Sequence, residues 1–173
     1  MINNFKRDKQ SITADWDSYN FSLIEGVVYK EVKNVIKDNG HLTELFRPEW
    51  FENTAIGQVF KVCLQPGAIS AWHVHEMTID RLAILMGTVK VVLFDARQDS
   101  STRGLINEYK LSDHRPGTVF IPPGVWHGVQ NIHHSESIIL NMVDIAYRYE
   151  NPDHLRIPFN DPQIPYSFEK RGI

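Results

Sequence analysis

From Gln58 to Val143 the chain is a succession of short β-type runs cut by glycine and proline, which leaves little choice of architecture. Gln58–Leu64 alternates, with Phe60, Val62 and Leu64 on one face. Residues 82–85 lead through Gly87 into 88–94, where Val89, Val91 and Leu93 oppose Lys90, Val92 and Phe94. Runs at 118–121, 129–132 and 138–143 follow, separated by turn signals at Gln65-Pro66-Gly67, 113–117 and Pro122-Pro123-Gly124. The best helical candidate is a short turn opening at Asn151-Pro152, with Asn as cap and Pro at the first position. Short strands with such punctuation and almost no helix predict an all-β jelly-roll barrel.

A length of 173 residues suits one domain, read as an N-terminal arm over 1–23 and a barrel over 24–173. A net charge of −3 argues against a nucleic-acid partner. Cys63 is the single cysteine, so no internal disulfide forms; its apolar setting in 59–64 predicts a buried core thiol. The opening residues Met1-Ile2-Asn3-Asn4-Phe5-Lys6 carry no secretory pattern, and the apolar stretch 82–94 is broken by Gly87 and Lys90. A cytoplasmic protein without a membrane partner is expected. The segment 24–31 has β-type residues and no sequential partner, which predicts a homodimer with strand exchange or sheet extension there.

The chemistry is concentrated in histidines. His73 and His75 are two apart, so on a strand both imidazoles enter the barrel from one face. His127 follows the tight turn Pro122-Pro123-Gly124, which can aim it at the same point. Three imidazoles that merely pack would leave many polar atoms to satisfy in a dry interior. His41, His114, His133, His134 and His154 lie in polar or turn-like contexts and read as solvated surface groups.

The order Gly67, His73, His75, Asp80, Gly87 resembles the first motif of the cupins, the double-stranded β-helix proteins, with Asp where Glu is usual. Pro122, Gly124, His127 and Asn131 resemble the second, with the leading Gly117 one residue early. From about Gly26 onward the chain further resembles the dTDP-4-dehydrorhamnose 3,5-epimerase family. The segment Asp38-Asn39-Gly40-His41-Leu42-Thr43-Glu44-Leu45-Phe46-Arg47 is similar to its Asp-x-Arg-Gly segment with trailing Leu-x-Glu and Phe-Arg. Asp95-Ala96-Arg97 followed by Ser100-Ser101-Thr102 is similar to its Asp-Leu-Arg and Ser-Pro-Thr turn. Ile121-Pro122-Pro123-Gly124-Val125-Trp126-His127-Gly128 and Asn160-Asp161-Pro162 complete the likeness.

The resemblance implies a homodimer holding a nucleotide-linked sugar inside each barrel. It implies that His73, in Ser70-Ala71-Trp72-His73, is the base that removes a proton beside a 4-keto group, and that Asp161 orients it. It places Glu44, Gln58 and His127 at substrate-binding positions, and Asn141 where the family has the tyrosine that returns a proton to the opposite face. Other departures run the same way. Ser70 stands for an arginine, Asn39 for another, a lysine near Asp80 is missing although Arg81 is adjacent, and His75 stands where Gln is common.

A pocket that loses cations and gains a histidine and an aspartate looks like a metal site. His73, His75, Asp80 and His127 would be its ligands, leaving positions open for substrate. Zinc, iron, manganese and nickel all suit this set, and no organic cofactor is expected. A metal could polarise the ketone in place of the missing charges. The two roles of His73, ligand and free base, compete at this point. The leading functional reading is an epimerase or isomerase acting on a nucleotide-linked (dTDP-) keto-deoxy sugar by proton abstraction next to the carbonyl. The alternatives are a metal-dependent cupin enzyme, such as a dioxygenase or sugar isomerase, on a small polar substrate, and a sugar-binding cupin without turnover.

Overall fold

The structure, a computed structural model, describes residues 7, 10–16, 22–51 and 55–168. The arm expected over 1–23 falls largely outside them. Three strands come first: β1 (Val28–Glu31), β2 (Asn34–Lys37) and β3 (Gly40–Thr43). After a 3₁₀ turn at Pro48–Trp50 come β4 (Gln58–Leu64), β5 (Ile69–Val74), β6 (Asp80–Met86), β7 (Thr88–Asp95), β8 (Ile106–Ser112), β9 (Gly117–Ile121), β10 (Val125–Asn131), β11 (Ser137–Val143) and β12 (Leu155–Arg156). One five-stranded sheet runs β1-β9-β6-β11-β4 and the other β12-β5-β10-β7-β8, with β2 and β3 forming a separate hairpin.

The alternation read from the sequence governs how these sheets pack. Val89, Val91 and Leu93 of β7 are fully buried and meet Leu82 and Ile84 of β6, Val119 and Ile121 of β9 and Ile139 of β11 in one core. The opposite face of β7 is also covered: Val92 packs with Trp72, Ile164 and Phe168, where the C-terminal segment crosses the outside of the sheet. Lys90 lies over the Tyr166 and Phe168 rings at 5.4 and 5.8 Å. Its aliphatic stem thus adds apolar cover while its ammonium faces the π-clouds. Among the described residues no helix is long and apolar enough to cross a membrane.

Two local expectations change. No helix forms at Asn151-Pro152; the segment is irregular with bends, and the Asp153 carboxylate that follows accepts from the backbone amides of 76–78. Cys63 is exposed, since β4 is a sheet edge and no covering layer lies over its outward face among the described residues. The segment 24–31 forms β1, which pairs antiparallel with β9, from Val28↔Phe120 to Glu31↔Gly117, and leaves its other side as the edge of that sheet. Exposed apolar surface is also found on the β2–β3 hairpin, where Val35, Ile36 and Leu42 are each more than half exposed.

A buried carboxylate pins the loop after β7. Asp95 accepts hydrogen bonds from Arg97 Nε (2.9 Å), Ser100 Oγ (2.6 Å) and Thr102 Oγ1 (2.7 Å). Burial pushes its carboxyl up, but these bonds outweigh burial and hold it far below the ordinary range. Burial acts the same way on Asp153, and the bonds from Thr78 and the 76–78 amides bring it down to about 2. A depressed folded-state value stabilises the protein above the unfolded pKa, and that stability is lost as pH falls through the folded value. Thermal melts should therefore be flat from about pH 7 to 5 and drop steeply between about pH 4 and 2. Asp95→Ala, which strands Arg97, Ser100 and Thr102 without their acceptor, should cost about 2–4 kcal/mol in urea unfolding.

Candidate active site

Strands β5 and β10 are neighbours, and their register sets His127 opposite His73. The pairing shifts between His127↔His73 and Val129↔Ser70, an irregularity that lets Ser70 and His73 share the inner face. The turn before β10 is locked to the end of β5, since the Gly124 amide donates to the His75 carbonyl at 2.7 Å. Gly124 has φ +78°, a conformation that glycine supplies without strain. Asp80 begins β6 and Asn141 lies on β11, so the four strands converge on a cavity of about 370 Å³. Its walls include Gln58, Phe60, Val62, Leu82, Val129 and Ile139.

Asp80 is 2% exposed, and every polar neighbour it has matters at that burial. Asn141 Nδ2 donates to Asp80 Oδ1 at 2.6 Å, while Asn141 Oδ1 accepts the Arg81 amide at 3.2 Å. Asp80 Oδ2 lies 3.3 Å from His75 Nε2 and 3.8 Å from His127 Nε2. The far nitrogens are tied to backbone: His75 Nδ1 to the Asp153 carbonyl, and His127 Nδ1 to the Val125 carbonyl at 3.3 Å. Burial lowers the His127 pKa, against the pull of Asp80. Arg81 does not replace the missing lysine of the pocket. Alternation sends it to the other face of the sheet, where its guanidinium stacks between Phe46 (5.6 Å) and Phe120 (5.5 Å).

His73 forms a second group. Its Nε2 lies 3.0 Å from Ser70 Oγ, and its Nδ1 lies 2.9 Å from His154 Nε2. Arg156 Nε also donates to His154 Nε2, at 3.3 Å. A guanidinium can only donate, so His154 Nε2 is an acceptor and the proton between the two rings sits on His73 Nδ1. His73 Nε2 is then a lone pair facing the cavity, touched by the Ser70 hydroxyl. Burial, followed by repulsion from His127 and His154, brings the His73 pKa down to about 3; burial first, then His75, brings His154 to about 4. His73 is neutral at physiological pH.

Several expected positions change. Among the described residues, the ligand atoms of His75, Asp80 and His127 lie within 4.8 Å of one another and His73 is not in this group; its Nδ1 faces His154 and its Nε2 faces Ser70. Asp161 does not orient His73: its carboxylate accepts from the Gln163 amide at 2.9 Å, in a turn closed on itself. Glu44 is exposed and paired with Arg47 at 3.3 Å beside the β2–β3 hairpin, away from the cavity walls. Gln58, His127 and Asn141 do line the cavity. His154, expected on the surface, is half-buried between His73 and His75, with ring centroids 5.0 Å from each. The hint in the sequence was Asp153-His154-Leu155-Arg156, an alternating segment able to add the edge strand β12 beside His73.

With this geometry in view, comparison with known proteins is decisive. The family model for dTDP-4-dehydrorhamnose 3,5-epimerase matches residues 22–171. The chain belongs to the dTDP-4-dehydrorhamnose 3,5-epimerase family. Among curated relatives of this epimerase, Agl13 of Haloferax volcanii, named a probable low-salt glycan biosynthesis epimerase, is 33% identical over 139 residues, spanning 79% of this chain and 89% of its own. The spore coat polysaccharide biosynthesis protein SpsL of Bacillus subtilis is 32% identical over 146 residues, spanning 84% and 97%. The crystal structure of a dTDP sugar isomerase from Desulfovibrio desulfuricans superposes with TM-score 0.76 at 26% identity, covering 83% of this chain and 91% of that one. By family the protein is an isomerase, and its fold is the cupin-like jelly roll of these epimerases.

The tautomer assignment for this epimerase is testable. Long-range ¹H–¹⁵N spectra should show His73 protonated on Nδ1 and bare on Nε2 at pH 7. His154→Leu, which removes the acceptor, should convert His73 to a tautomer mixture without changing the melting profile of the barrel.

Proposed function

We propose that the protein epimerises a dTDP-linked keto-deoxy sugar by removing a proton from a carbon next to the ketone, with His73 as the base. The observation that carries this reading is the unprotonated Nε2 of His73, which lines the cavity with the Ser70 hydroxyl 3.0 Å away, while His154 accepts from Nδ1 behind it. In the step, the C–H bond breaks and its proton moves to His73 Nε2. The C–H pair becomes the C=C bond of an enolate, and the carbonyl π pair moves to oxygen. A neutral imidazole at hydrogen-bond reach is the form such a step needs. Gln58 and His127 line the space the sugar would fill, and the exposed Arg148 and Arg156 on its walls suit a diphosphate at the mouth.

Inversion requires that a proton return on the opposite face. Asn141 has no titratable group, and both ends of its amide are committed to Asp80 and the Arg81 amide. Tyr147 is the phenol on the cavity wall, partly exposed at 47%. One base and one phenol at the rim support epimerisation at a single carbon. The assembly that fits this reading is a homodimer, with the apolar face of the β2–β3 hairpin set against a second copy.

His73→Asn should lower kcat by about 10²–10⁴-fold while dTDP-sugar affinity changes little. In D₂O, a dTDP-4-keto-6-deoxy sugar should take up deuterium at one of the two carbons flanking the ketone; efficient uptake at both C3 and C5 would contradict the single-carbon reading. Tyr147→Phe should keep that exchange and lose the inversion, read by NMR of the product. Light scattering at micromolar protein should give twice the chain mass, and Ile36→Lys should shift it towards the monomer.

A further inference from the structure

We propose that His75, Asp80 and His127 bind one divalent metal ion, and that His73 stands beside this site as a free base and not as a fourth ligand. The argument begins with where the hydrogens must be. His75 Nδ1 meets the Asp153 carbonyl and His127 Nδ1 meets the Val125 carbonyl, and a carbonyl only accepts. Each ring therefore carries its hydrogen on Nδ1 and turns a bare Nε2 towards Asp80 Oδ2, at 3.3 and 3.8 Å. Asn141 donates to the other carboxylate oxygen. Three lone pairs thus converge at the floor of the cavity, two of them on residues 2% and 6% exposed, and all three atoms lie within 4.8 Å of one another.

Acceptors facing acceptors in a dry site repel unless a proton or a metal cation lies between them, and a metal satisfies all three at once. Tetrahedral ligands with bonds of about 2.0–2.2 Å lie roughly 3.4 Å apart, and the 3.3 and 3.8 Å separations from Asp80 Oδ2 are already close to that spacing. The surroundings match what a bound metal requires: backbone carbonyls fix both tautomers and an amide fixes the carboxylate. Two imidazoles and one carboxylate suit zinc, iron(II), manganese, cobalt or nickel, and leave coordination positions open towards the cavity. His73 is withheld by Ser70 and His154. The binding site rests on this geometry alone. Its chemical use, a positive charge for the enolate oxygen while His73 holds the proton, rests on the epimerase reading.

The test uses full-length protein purified without a nickel column, stripped with chelator and titrated with Co(II). One equivalent should bind with visible d–d bands, and the melting temperature should rise with Co(II) concentration. Asp80→Asn and His75→Gln should bring the stoichiometry close to zero, whereas His73→Asn should retain one equivalent and the same bands. Asn141→Leu should weaken binding by roughly 10–100-fold. If Asp80→Asn does not fold, His75→Gln at the half-buried end of the set gives the same reading. No binding by the stripped wild-type protein, unaltered binding in His75→Gln, or loss of binding in His73→Asn would each overturn the site. Metal binding that survives with no turnover of any dTDP-sugar would instead count against the proposed function and leave the site standing.

Discussion

Burial of Asp80 is the constraint around which the barrel interior is arranged. An ionised carboxylate at 2% exposure is costly unless its oxygens are occupied by donors or a cation. One oxygen takes the Asn141 amide, whose own carbonyl is held by the Arg81 backbone, so β6 and β11 are cross-linked through side chains as well as through their ladder. The other oxygen faces two imidazoles on the opposite sheet. The two sheets, which meet elsewhere through apolar packing and through Asn131 bonded to the Leu64 carbonyl and Ser137, are thus also joined at this polar point. Arg81, next in sequence, carries its charge to the far face, where it lies over the Phe46 and Phe120 rings, donates to the Met142 carbonyl and feels the charge of Asp144.

Seen this way, the replacement of a tyrosine position by Asn141 is coupled to the presence of Asp80. A phenol donates and accepts through a single oxygen, whereas the Asn141 amide gives its Nδ2 to the carboxylate and its Oδ1 to the Arg81 amide. His75 belongs to the same exchange, because its Nε2 has no role without the carboxylate beside it. The departures from family pattern are therefore one correlated change in the floor of the pocket and not several independent losses. The base group of Ser70, His73, His154 and Arg156 is wired separately, with no hydrogen bond to Asp80 among the described contacts.

The sequence disclosed the parts of this arrangement that depend on local period and left out those that depend on tertiary return. Alternation over 88–94 predicts both faces of β7 correctly, because a buried strand face has to be apolar in every second position. The His73 and His75 pair is legible for the same reason. Strand β8 went unread: Asn107, Glu108 and Lys110 interrupt its apolar pattern, and its burial comes from Tyr109 and Leu111 packing on β7. His154 could not be located from its neighbours, since it reaches His73 across 81 residues through a segment with almost no regular structure. Cys63 misled because apolar neighbours on an edge strand do not imply cover on both faces.

The placement of His154 also shows why one imidazole can serve where a carboxylate would be expected. A carboxylate behind His73 would raise its basicity but would add a second buried negative charge close to Asp80. A neutral imidazole supplies the same acceptor for the His73 Nδ1 proton without that charge, and Arg156 fixes its orientation from the solvent side. Its cost is a weaker base, visible in the low pKa of His73. A weak base can still remove a proton beside a ketone if the carbon acid is made stronger, which the lone pairs of His75, Asp80 and His127 could do only by holding a cation. Under the metal-site proposal the two groups would be complementary: the economy of charge around His73 would shift the demand for stabilising the enolate onto a cation held at Asp80.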